Sequence, residues 1–118
     1  MAVLRIVPHI HGDPAALSDF YRAVFDLDVM MDLGWIRFVA APARQSVQLG
    51  LASAGESGNP APDISIEVDD LDATLVRARS VGAEITYGPV VEDWGVRRFF
   101  LRDPAGYLLN VLTHIERD

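Results

Sequence analysis

The sequence contains no cysteine and no lysine, and all 10 of its basic side chains are arginine. Without cysteine there are no thiol nucleophiles, disulfides or thiolate metal sites, and without lysine there is no Schiff-base chemistry. Long apolar runs are missing too, and the N-terminus has neither a basic n-region nor a cleavable apolar stretch. Neither a membrane span nor a secretory signal is therefore expected, which leaves a cytoplasmic protein as the expectation. Positive charge is scarce: a formal net charge of −7 and a pI near 4.7 argue against a nucleic-acid partner, because neutralising phosphates needs clustered Lys or Arg. No nucleophile sits beside a visible base, and no Gly-rich phosphate loop precedes a helix. The sequence alone leaves open whether the chain is an enzyme.

With 118 residues, half of them hydrophobic, the chain can build one core, so a single domain over 1–118 is expected. Asp13 followed by Pro14 reads as an N-cap and first helical residue, opening a helix that runs to Asp26. Leu17, Phe20, Tyr21, Val24 and Phe25 fall on one stripe, with Ser18, Asp19 and Arg22 opposite. A second helix is expected from Asp70 to Val81, with Leu71, Leu75, Ala78 and Val81 on its apolar face and Gly82 ending it in a left-handed conformation.

Strand-like runs surround these helices: Val3 to Ile10, Val29 to Leu33, Trp35 to Ala40 and Val47 to Leu51, then Asp63 to Val68, Glu84 to Tyr87, Val96 to Leu101 and Tyr107 to Ile115. The order is strand, helix and three strands, repeated after a Gly, Ser, Pro and Ala-rich stretch. Module one spans about 3–52, the linker about 53–62 and module two about 63–115. An offset of 56 positions sets Asp13 on Asp69, Asp26 on Gly82 and Asp28 on Glu84, so the punctuation of the two halves agrees. The fold class expected is α+β, with two tandem βαβββ modules. A lone module leaves one sheet face bare, so the modules must cover each other or pair with another chain, and a homodimer is expected.

The segment Trp94 to Asn110 reads WGVRRFFLRDPAGYLLN, and its Asp103-Pro104-Ala105-Gly106 suits a tight β-hairpin between the last two strands. Together with the duplicated order and the Asp-Pro-Ala-Ala-Leu-Ser-Asp-Phe-Tyr helix, it resembles the vicinal oxygen chelate superfamily of glyoxalases, extradiol dioxygenases and bleomycin resistance proteins. The resemblance runs from Leu4 to His114. It implies curved, cavity-lining mixed sheets, and in the enzymes of the family a divalent cation held on four cavity strands. Those positions fall here on Ile6 or Val7, Asp63, Asn110, and near Gln48 or Gly50. At best Asp63, Gln48 and Asn110 could ligate, which falls short of three good imidazole or carboxylate ligands. A metal-free protein without a cofactor is the leading expectation, and a rearranged divalent site at those three residues the lesser one.

Strand alternation places Asp63, Ser65 and Glu67 on one face and Ile64, Ile66 and Val68 on the other, while Leu108, Asn110, Leu112 and His114 share a face. The resemblance turns both polar faces toward the cavity. Acids there would favour a cationic or hydrogen-bond-donating ligand; alternatively, Glu67 sits at a wet rim and Asp63 begins its strand in solvent. Trp35 and Trp94 are candidate stacking surfaces for an aromatic ligand, and only one of Arg97 and Arg98 can face the cavity. The His9 and His11 pair lacks a visible third ligand. The ligand-binding set is thus Trp35, Gln48, Asp63, Ser65, Trp94 and Asn110. The resemblance implies a small-molecule-binding protein that sequesters an antibiotic or other toxic compound; the alternative is a metal-dependent lyase, isomerase or dioxygenase of the same superfamily.

Overall fold

The computed structural model describes residues 1, 4–44, 48–53, 55 and 57–115. Along the chain come α1 (Pro14–Phe25), β1 (Asp28–Asp32), β2 (Arg37–Ala40), β3 (Ile64–Glu67), α2 (Leu71–Ser80), β4 (Glu84–Glu92), β5 (Val96–Arg102) and β6 (Leu108–His114). The helix boundaries follow the local chemistry. Asp13 accepts from the N–H groups of Ala15 and Ala16, and Asp70 from that of Ala73. Asp26 and Gly82, equivalent in the internal repeat, both take left-handed backbone just past their helices, at φ 57° and 72°. Neither helix is long and apolar enough to cross a membrane.

Module two has the expected strand, helix and three-strand order, with β4 running on past its expected end at Tyr87 to Glu92. Its strands make one mixed sheet in the order β3-β6-β5-β4, with β3 parallel to β6 and the other pairs antiparallel. Phe99, Leu101, Leu109 and Val111 project from one face and are fully buried against Leu17, Phe20, Tyr21 and Val24 of α1 and Leu71, Leu75 and Ala78 of α2. Ile64, Ile66 and Val68 pack against the same core. Two helix-face assignments need correcting. Ser18 is buried, because its hydroxyl accepts from Arg37 Nη1 at 2.8 Å. On α2 it is Thr74 that faces inward, while Val81, past the last turn, is exposed.

Module one differs from the expectation. β1 and β2 form a two-stranded antiparallel ribbon that packs on α1, and every residue of β1 is exposed. The expected strands over 3–10 and 47–51 are not in any ladder at residues 4–10 and 48–51, and Val3 and Val47 lie outside the described residues. Leu4, at 89% exposure, Ile6, Leu49 and Leu51 all face solvent. The reason is physical: each segment would be an edge strand beside a two-stranded ribbon that α1 covers only in part, and such a small sheet gives an added edge strand little to pack on.

Candidate functional site

The face of the four-stranded sheet turned away from the helices carries the polar and aromatic residues. Ser65 of β3, Leu108 and Asn110 of β6, Arg98 and Phe100 of β5, and Tyr87 of β4 lie along it by alternation and by their mutual contacts. Asn110 Nδ2 donates to Ser65 Oγ at 3.1 Å across the parallel pair, where the two residues are in register. Ser65 is exposed, so this end of the face is open to ligand, whereas Asn110 is 9% exposed.

Beside it lies a buried charge pair that sequence reading does not single out. Arg98 Nη2 donates to Glu92 Oε2 at 3.1 Å, and both side chains are buried. Glu92 also accepts from the Tyr87 hydroxyl at 2.7 Å and from Ser57, in the linker, at 2.8 Å. The Tyr87 hydrogen bond above all, then Ser57 and Arg98, holds the Glu92 carboxyl below its ordinary range against the burial that opposes ionisation. The Arg98 guanidinium lies 4.7 Å from the Phe100 ring centre, 5.0 Å from that of Trp94 and 5.7 Å from that of Tyr87. Arg97 points the other way, to Asp72 of α2 at 2.7 Å, so Arg98 is the arginine on the candidate face. Alternation alone separates the two arginines; the four-residue network was hidden because it needs the irregular register of β4 near Tyr87 and the return of the linker.

Three of the sequence-predicted residues, Ser65, Trp94 and Asn110, belong to this face or its rim. Asp63 stands just before β3, where its Oδ2 accepts from the Leu108 N–H at 2.8 Å. With His11, Ala105, Gly106 and Tyr107 it borders an open surface cleft of about 450 Å³. Glu67 pairs with His114 at 2.7 Å on an exposed rim. Trp35 does not begin a strand: it sits in the β1–β2 turn at 77% exposure, where Leu33 and Gly34 close the turn through hydrogen bonds to Ile36 and Asp32. Gln48 is exposed on the unladdered segment. The ribbon packs chiefly on α1, and Trp35 and Gln48 stand exposed apart from Ser65, Asn110 and Trp94, so among the described residues the six expected side chains are not drawn into a single pocket.

The donor set fits the family's cation poorly. Ile6 and Val7 have no donor atom, Asp63 caps the β6 backbone, and Asn110 is turned to Ser65 by its amide nitrogen. Among the described residues no three His, Asp or Glu side chains are grouped as a metal site. His9 instead packs edge-on to Phe38, ring centres 6.5 Å apart.

The fold recurs in solved structures. A superfamily member from Sphaerobacter thermophilus is 27% identical, covering 97% of this chain and 98% of that one, with a TM-score of 0.65. TnmS3, an antibiotic binding protein from a Streptomyces species, is 24% identical over 97% and 96% of the two chains, TM-score 0.65. A lactoylglutathione lyase from Agrobacterium tumefaciens is 22% identical over 95% and 92%, TM-score 0.64. No curated protein matches the sequence significantly. The family profile aligns with residues 7–111, from the unladdered first segment to the middle of β6, and the chain therefore belongs to the Glyoxalase/Bleomycin resistance protein/Dioxygenase superfamily.

Proposed function

We propose that this chain is a small-molecule-binding protein that works without a bound metal, as a homodimer, and sequesters an antibiotic or similar toxic compound. One observation carries the reading: the face of the module-two sheet turned away from the helices combines aromatic rings with polar side chains, running from the exposed Ser65 and Trp94 at its edges to the buried Asn110 and Arg98, whose Oδ1 and Nε lack hydrogen bonds. Such a face offers recognition without a reactive centre. Among the described residues the hydroxyls on it are engaged, Ser65 by Asn110 and Tyr87 by a Glu92 carboxylate that Arg98 already neutralises, and Asp63, the strongest ligand type at a family metal position, is spent on the backbone of β6. The use of this fold by the antibiotic binding protein TnmS3 agrees with the reading.

The bare ribbon of module one supports the dimer. Its exposed Met30, Met31 and Leu33, and the exposed Leu4 and Leu51 of the unladdered segments, are apolar surface that a second copy would cover. The cavity would then close between copies. Calorimetry on chelator-stripped protein tests the reading, first with Zn, Ni, Mn and Fe(II), then with a panel of antibiotics. Saturable binding of an antibiotic by stripped protein of dimeric mass is expected. Tight stoichiometric metal binding lost in Asp63→Ala, or a stripped protein that binds no compound of the panel, would overturn it.

A further inference from the structure

We draw no further inference here: the strongest candidate, the bare apolar surface of the β1–β2 ribbon at Met30, Met31 and Leu33, already serves the proposed dimer, and nothing in the structure shows a further occupant that covers it.

Discussion

The Tyr21 hydroxyl donates to Asp103 Oδ2 at 2.8 Å, joining α1 to the β5–β6 hairpin across 82 residues of sequence. The other carboxylate oxygen of Asp103 accepts from the N–H groups of Ala105 and Tyr107, both at 2.9 Å. One buried side chain therefore shapes the hairpin turn and anchors the first module's helix to it. Tyr21→Phe removes a single bond to an acceptor that keeps two others, and should cost about 1–2 kcal/mol. Asp103→Ala releases the turn and strands the buried phenol as well, and should cost about 3 kcal/mol or more. Urea unfolding of the two variants checks the ranking, and equal losses would show that the tie across the modules is weak.

The same contact makes an alkaline prediction. Burial first, and donation to Asp103 second, push the Tyr21 phenol far above its ordinary value of 10.0. A folded-state value raised in this way means that the contribution to stability is complete below pH 10 and declines as pH climbs toward the folded value. Native wild type and Tyr21→Phe should therefore gain the same phenolate absorbance at 295 nm up to the pH at which the wild type unfolds. Extra absorbance in the wild type should appear only on denaturation. An extra component in the native protein near pH 10 would mean that water reaches Tyr21.

On the acid side the sign reverses. Tyr87, Ser57 and Arg98 hold the Glu92 carboxyl below its ordinary value of 4.5, so its contribution is present above that pH and disappears as pH falls through the lower folded value. Glu92→Gln also leaves Arg98 a buried cation without its carboxylate, which is destabilising. The gap in urea midpoint between wild type and Glu92→Gln should be widest near neutrality and shrink below pH 4.5. A gap independent of pH would place the effect in packing rather than charge.

These contacts show where sequence reading succeeds and where it stops. Helix ends were legible because Asp13, Asp70 and Gly82 act on their immediate neighbours. Ser65 and Asn110 were legible as members of polar faces, since a period of two needs only correct strand ends. The Glu92 network was not, because a bulged strand breaks that period and Ser57 arrives from a linker whose composition says nothing of its path. Trp35 was misplaced by two residues at a strand start, enough to move it from a strand into a turn. The unladdered segments of module one were read as strands from their own composition, whereas a ladder depends on a partner strand that composition does not reveal.

Gly88 offers a separation of two costs usually measured together. Its φ is +76°, and a Cβ built there would lie 2.5 Å from the Arg98 carbonyl oxygen and 3.2 Å from the Phe99 Cα, both backbone atoms that cannot swing aside. Gly82 has a similar φ of +72° but open space around the position. Gly82→Ala should thus pay only for left-handed backbone, about 1 kcal/mol. Gly88→Ala pays the same and must also push β4 off β5, for a total of about 3 kcal/mol or more. Because the displaced stretch of β5 carries Arg98, Gly88→Ala should also weaken small-molecule binding under conditions where the variant stays folded, while Gly82→Ala should not. Urea unfolding combined with calorimetry distinguishes the outcomes: equal stability losses would deny the close approach of the two strands, and unchanged binding in folded Gly88→Ala would detach the bulge from the binding face.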